Sequence, residues 1–241
     1  MIEFYLNLLL FLTIYVLFDY LLPDSVMGKY YLIHSLNNAY VVYLTLSDVK
    51  NSYYDLFNFM DYQPNYEAAA ITFALHFYHI ISYFDKLRYD DWLHHILMVV
   101  VCLPLSISVK GGCLLGHSLF FTTGLPGCID YFMLFLVRNN FMRRITEKKI
   151  NNYINLWLRA PGCTAQSILT WVVLFDKNSK FNFKEKIIAF ITAGLVFWNG
   201  IYFMNQVVVN YSEVRNKMNN KNIRELRELR ELKNKKYIKK N

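Results

Sequence analysis

Apolar residues in this chain are gathered into long runs that are separated by short polar stretches. Seven runs are candidates for membrane spans: 2–22, 30–46, 68–84, 92–109, 111–137, 153–175 and 187–209. A helix needs about 20 mostly apolar residues to cross the hydrocarbon core, and lipid offers the backbone no hydrogen-bonding partner. The pattern therefore predicts an all-α membrane protein with about seven transmembrane helices, the fifth of which is broken by Pro126.

Composition supports a membrane protein rather than a soluble domain. Hydrophobic residues make up 55% of the chain and aromatic residues 17%, and the mean hydropathy is +0.19. The first run is preceded by no basic residue and followed by no small-x-small cleavage site. We therefore expect it to be a retained helix and not a signal peptide.

The distribution of charge predicts the orientation. Residues 211–241 contain eleven Lys or Arg against four Asp or Glu, and the segment 138–149 is also basic, whereas 48–67 is acidic. The positive-inside rule places the C-terminal tail and 138–149 in the cytosol. The lysines of 177–186 are the exception, because seven spans put them on the opposite side. We expect the tail to meet anionic lipid headgroups, and we expect no nucleic-acid partner.

Cysteine and histidine patterns do not indicate a metal or a cofactor. The four cysteines form no C-x-x-C motif, and small buried hydrophobes are the expected role. His76-x-x-His79 and His94-His95 superficially resemble the boxes of membrane di-iron enzymes. Such sites need about eight histidines in H-x-x-x-H and H-x-x-H-H boxes, and this chain has six histidines and neither box.

The segment Asp91-Trp92-Leu93-His94-His95 is the most specific chemical signal. Asp91 and His95 are four residues apart and can meet on one face of a helix, so Asp91 is expected to orient the imidazole. A neutral imidazole held by a carboxylate can act as a base or a nucleophile. The structural alternative is a capped helix that carries two interfacial histidines.

Helix rise predicts which polar residues share a depth. Counting about 1.5 Å per residue from each turn puts Asp130 near the depth of His94, with His79 about one turn deeper and His117 toward the opposite side. Polar side chains inside a bilayer should face a common interior. The expected cavity lining is His34, Asn37, Asn38, His79, Thr122, Thr123, Asn199, Tyr202 and Gln206. Interhelical hydrogen bonds without a cavity are the alternative.

Several short motifs in this order resemble the TLC-domain family of membrane proteins, over roughly residues 29–211. They are His34-Ser35-Leu36, the segments 79–85 (HIISYFD) and 91–95 (DWLHH), Thr122–Pro126 and Trp198–Phe203. The resemblance implies six helices around a lipid-accessible cavity, with the first span outside them. It divides the chain into an N-terminal helix and loop (1–28), the TLC-like domain (29–211) and a basic tail (212–241).

The same resemblance frames the function, because the family includes ceramide synthases, regulators of lipid composition and trafficking proteins. In the synthases a His pair acts in acyl transfer, which corresponds here to His94 and His95. The synthase His-Asp of the fifth span is missing, and Asp130 is the candidate substitute. We therefore expect a protein that binds or remodels membrane lipids. The alternatives are an acyltransferase using acyl-CoA and a trafficking adaptor. The expected location is the endoplasmic reticulum or another endomembrane, or a host membrane if the gene is viral, and the sequence sets no oligomeric state.

Overall fold

The structure, a computed structural model, describes residues 2–238, with side chains to Arg230 except those at 222 and 227. This part of the chain is helical and contains no strand. It forms seven long helical segments, which are α1 (Ile2–Leu21), α2 (Lys29–Tyr54), α3 (Tyr66–Tyr83), α4 (Tyr89–Ser108), α5 (Cys113–Arg138), α6 (144–175) and α7 (Phe183–Ile238). Short 3₁₀ turns occupy Leu56–Asp61 and Phe84–Lys86.

Four of these segments are long and apolar enough to cross a membrane: α1, α4, α5 and the Phe183–Arg230 part of α7. The other three carry more polar residues; α2, for example, contains Asp48 and Lys50. By length and composition the chain is therefore an integral membrane protein. Within the described residues, four helices meet these requirements of length and composition, whereas the sequence predicted about seven spans.

The contacts between helices close a ring of six, in the order α2, α3, α4, α7, α6, α5 and back to α2. Helix α1 lies outside the ring and packs mainly on α3. Because each loop is short, consecutive helices run antiparallel, and the loops collect at two ends. The tail end has the loops 22–28, 84–88 and 139–143, and the far end has 55–65, 109–112 and 176–182.

Contacts at the two ends confirm which loops lie together. At the tail end, the Asn139 side chain exchanges hydrogen bonds with the backbone of Met27, at 3.2 and 2.8 Å. At the far end, Lys180 pairs with Asp61 at 3.1 Å, and the rings of Phe59 and Phe181 lie 5.2 Å apart. The lysine-bearing loop that departs from the positive-inside rule therefore faces the acidic loop and is partly neutralised by it.

Three of the helices contain a stretch of π-helix immediately before a proline. The stretches are His95–Cys102 before Pro104, Phe120–Gly124 before Pro126 and Asn155–Arg159 before Pro161. Proline lacks an N–H, and its ring clashes with the carbonyl four residues earlier, so a wider turn relieves the conflict. The expected break at Pro126 is therefore wrong, since α5 continues through it.

Glycines let neighbouring helices approach closely, as small residues do in membrane bundles. A Cβ added at Gly116 on α5 would overlap the carboxylate of Asp48 on α2. A Cβ added at Gly162 on α6 would overlap the ring of Phe121. The close spacing of these helices therefore depends on the absence of a side chain at the two glycines.

Helix α7 continues without a break through the predicted domain boundary at 211/212. Its 56 residues give a length of about 84 Å, far more than a bilayer requires. Pairs at i, i+4 support the extension, with Arg224 to Glu228 at 2.9 Å and Lys221 to Glu225 at 3.7 Å. The sequence left the tail open between a short helix and a disordered segment, and the structure shows a long helix.

Candidate functional site

Five of the six histidines meet at the tail end of the ring. They come from α2 (His34), α3 (His76, His79) and α4 (His94, His95). Ring centroids are 5.5 Å apart for His34 and His79, 5.0 Å for His79 and His95, 5.3 Å for His76 and His95, and 5.5 Å for His76 and His94. We call this set the histidine cluster. The sequence placed His79, His94 and His95 at this end of the bundle; His76, which it left out of the site, lies between them.

Hydrogen bonds within each helix fix how three of these imidazoles are protonated. The Nδ1 atom of His34 lies 3.0 Å from the carbonyl of Tyr30, and that of His76 lies 2.7 Å from the carbonyl of Thr72. The Nδ1 atom of His95 likewise contacts the carbonyl of Asp91. A carbonyl only accepts, so Nδ1 must carry the hydrogen. In the neutral ring, Nε2 is then left as an acceptor.

The partner of His95 differs from the prediction. The sequence paired His95 with the carboxylate of Asp91, but the imidazole bonds to the Asp91 carbonyl instead. The carboxylate accepts hydrogen bonds from the backbone N and the Nε of Arg88, at 2.9 and 3.3 Å. A carboxylate in the first turn of a helix is drawn to the free backbone N–H groups there. Asp91 therefore orients His95 through its main chain.

Tyrosine, asparagine and threonine side chains form hydrogen bonds next to the cluster. The hydroxyl of Tyr30 is 3.1 Å from Nδ1 of His79. Tyr15 on α1 donates to Asn37 at 2.6 Å, and Asn37 donates in turn to Asn38 at 3.1 Å. Thr123 on α5 donates to the same Asn38 oxygen at 3.1 Å. This chain of hydrogen bonds ties the outer helix α1 to two helices of the ring.

A row of two adjacent cavities extends from the histidine cluster along the ring. Its tail-end part has His76, His94, Thr122 and Thr123 among its lining residues, and its far-end part is lined by Gln166 and Phe181, among others. Each part has a volume of about 50 Å³, and both are lined by Ser106, Leu115 and Ser118. Along α4, the residues that line the two cavities extend from His94 to Val109, a distance of about 22 Å. We call the two cavities together the axial cavity.

The nine predicted lining residues do not share one surface. Thr122 and Thr123 line the axial cavity; His34 and His79 belong to the histidine cluster, and Asn37 and Asn38 to the network behind it. Asn199 is buried beside His94, and Tyr202 donates to Asp90 at 2.8 Å. Gln206 is exposed, so its predicted place in the interior is wrong. It occupies a face of α7 that points away from the ring, while Val207 and Val208 on the same turn are partly buried.

His117 lies apart from the cluster, next to Tyr53 and Phe121 with ring centroids 5.2 and 4.9 Å away. Both of its ring nitrogens are buried without a hydrogen-bond partner. This position agrees with the expected depth on the far side of the membrane. His117 takes no part in the histidine cluster.

A ladder of polar side chains on α6 was missed by the sequence analysis. Glu147, Asn151, Asn155 and Arg159 are spaced four apart. The amide of Asn151 donates to Glu147 at 3.4 Å, that of Asn155 to Asn151 at 2.6 Å, and Arg159 donates to Asn155 at 3.3 Å. The missed signal was this i, i+4 spacing: the predicted sixth span began at 153, which left half of the ladder in a loop.

Asp130 faces this ladder. Its carboxylate lies among Arg159, Glu147, Lys148 and Asn151, and one of its oxygens is buried without a partner. The adjacent Tyr131 packs on His34, with ring centroids 4.5 Å apart. Asp130 therefore lies beside the ladder and is separated from the histidine cluster by intervening side chains such as Tyr131, which does not favour direct pairing with His94.

Among the side chains that the structure describes, no group of three His, Cys, Asp or Glu is arranged to hold a metal ion. Comparison of the chain with family models, with curated proteins and with solved structures finds no match. The resemblance to TLC-domain proteins therefore rests on the motifs of the sequence alone.

Proposed function

We propose that this protein binds a membrane lipid, with the headgroup at the histidine cluster and an acyl chain in the axial cavity. The observation that carries the proposal is the cluster of five imidazoles at the tail end of the axial cavity, which two of them, His76 and His94, line. Polar and ionisable groups inside a membrane bundle are costly and usually mark a site of function.

The chemistry of the cluster favours particular headgroups. His34, His76 and His95 each present an Nε2 acceptor, and His76 also lines the axial cavity. The Nε2 of His95 is buried without a hydrogen-bond partner. A buried acceptor needs a donor, and a hydroxyl or amine on the ligand would supply one. The axial cavity extends over about 22 Å, which matches an extended acyl chain rather than a compact solute.

A substitution that fills the axial cavity tests this proposal. Ser106 lines both parts of the axial cavity, whereas Val100 on the same helix is 64% exposed on the outer surface. We expect Ser106→Phe to remove most of the lipid that copurifies with the protein, about tenfold by mass spectrometry, because the ring occupies the path of the chain. Val100→Phe adds the same ring outside and should retain the lipid. Equal lipid content in wild type and both variants would contradict binding in this cavity.

We also propose that all seven helical segments cross the membrane, with the tail end in the cytosol, as an endomembrane protein. The ring includes α2, α3 and α6, which cannot leave the bilayer without opening it. The basic segments lie at the tail end, as the positive-inside rule requires. A glycosylation acceptor inserted in the far-end loop 55–65 should be modified, and one inserted after Met218 should not; the reverse pattern would invert the orientation.

Acyl transfer from acyl-CoA is the second candidate, and His95 is the observation in its favour. Its Nδ1 hydrogen is held by a carbonyl and its Nε2 is buried without a partner, which is the arrangement of a general base. Formation of an N-acyl product by wild-type protein, and its loss in His95→Ala, would favour this candidate over binding alone.

A further inference from the structure

Arg159 is a cation inside the bundle that has no carboxylate partner. It donates to the amide oxygen of Asn155 at 3.3 Å, and its Nε is buried with no hydrogen-bond partner. Among the described side chains it forms no ion pair, whereas Lys148, about three turns nearer the loop, is paired with Glu147 at 3.3 Å. An arginine in this situation retains most of its capacity to bind an anion.

Arg159 lies close to the histidine cluster, from which it is separated by the ring of Phe203. Its guanidinium lies 5.6 Å from the ring centroid of Phe203. The ring of Phe203 also lies 5.4 Å from that of His94, between centroids. The adjacent Tyr202 bonds to Asp90 in the first turn of α4. Arg159 therefore lies at the depth where α4 enters the bundle, near the tail-end interface, where lipid phosphates are found.

We propose that Arg159 binds a phosphate ester carried by the ligand of the histidine cluster, so that the lipid is a phospholipid. The planar guanidinium matches two phosphate oxygens at once. Basic groups between transmembrane helices near the cytosolic surface are a known way of holding anionic headgroups. This inference rests on the proposed lipid-binding function and specifies the lipid class.

Asp130 provides a second prediction, because removing its charge should have the opposite effect to removing that of Arg159. Its carboxylate is near Arg159 but not paired with it, and it balances the cation when no ligand is bound. A phosphate at Arg159 must approach against this negative charge, which acts strongly inside the bundle. Removing the charge of Asp130 should therefore tighten phosphate binding, whereas removing that of Arg159 should weaken it.

The experiment measures binding of two short-chain lipids to purified full-length protein in detergent. Dioctanoyl phosphatidic acid carries the phosphate, and dioctanoylglycerol has the same chains without it. We expect Arg159→Gln to weaken phosphatidic acid binding about ten- to hundredfold, the usual effect of losing hydrogen bonds to a charged group. Asp130→Asn should tighten it several-fold. Arg143→Gln removes an exposed charge from the same end and should leave it unchanged.

The outcomes separate this inference from the proposed function. If the diacylglycerol and phosphatidic acid bind equally well to wild type and to all three variants, lipid binding stands and the role of Arg159 is overturned. If neither lipid binds, the proposed function itself fails. Displacement of phosphatidic acid by inorganic phosphate at similar concentration would assign the site to free phosphate and also overturn the inference. If Arg159→Gln does not fold, tightening by Asp130→Asn still supports it, and unchanged affinity contradicts it.

Discussion

Replacing Gly116 by alanine should destabilise the folded bundle by about 3 kcal/mol, at the upper end of the range for overpacked cores. Gly116 is buried where α5 crosses α2, and a Cβ there would overlap both the carboxylate and the Cβ of Asp48. Moving the carboxylate alone cannot resolve the overlap, so the two helices must separate. The measurement is thermal unfolding of the purified protein in detergent.

Gly194→Ala is the matched control for this prediction. Gly194 lies within α7, and nothing is within 4 Å of where its Cβ would be. Alanine is the better helix former, so this change should be neutral or stabilise by up to about 1 kcal/mol. If the two alanine variants unfold at the same temperature, the close approach of α2 and α5 is wrong.

Replacing Glu147 by alanine should cost about 3 kcal/mol or more, because it breaks a buried ion pair and leaves the partner charge uncompensated. The Glu147 side chain is fully buried, and that of Lys148, its partner at 3.3 Å, is 18% exposed. The amide of Asn151 also loses its acceptor. Lys149→Ala removes an exposed side chain from the same turn and should change stability by less than about 0.5 kcal/mol.

A double substitution separates the pair from the packing around it. Replacing both Glu147 and Lys148 by methionine removes both charges at similar volume, and it should recover most of the loss seen in Glu147→Ala. If Glu147→Ala is as stable as Lys149→Ala, the ladder on α6 contributes little and the described burial of Glu147 is wrong.

The helices could be predicted from the sequence because long apolar runs are a strong and local signal. The second to seventh runs each fall on a helix of the ring, and the first falls on the helix outside it. The six-helix arrangement itself came from the resemblance to TLC-domain proteins. Among the helix starts, the largest difference is that of α6, which begins at 144 rather than 153. Its first turns are polar because they carry the buried ladder, and hydropathy alone cannot distinguish a buried polar stripe from a loop.

The candidate site was only partly predictable. Counting helix rise placed His79, His94 and His95 at one end and His117 away from it, since depth follows from turn positions. Which way a side chain points depends on tertiary packing and could not be counted. This is why Asp91 was matched to His95 through the wrong group. It is also why Gln206 was assigned to the interior, although it lies on an exposed face of α7.

Photocrosslinking tests most directly whether a lipid lies along the axial cavity with its headgroup at the histidine cluster. One phospholipid analogue carries a diazirine at the end of its acyl chain, and another carries it beside the headgroup. The chain-end analogue should label the far-end part of the cavity near Gln166 and Phe181, and the headgroup analogue should label α3 and α4 near His76 and His94. Labelling by both analogues confined to outward-facing residues such as Val100 and Trp157, which are 64% and 73% exposed, would contradict the account.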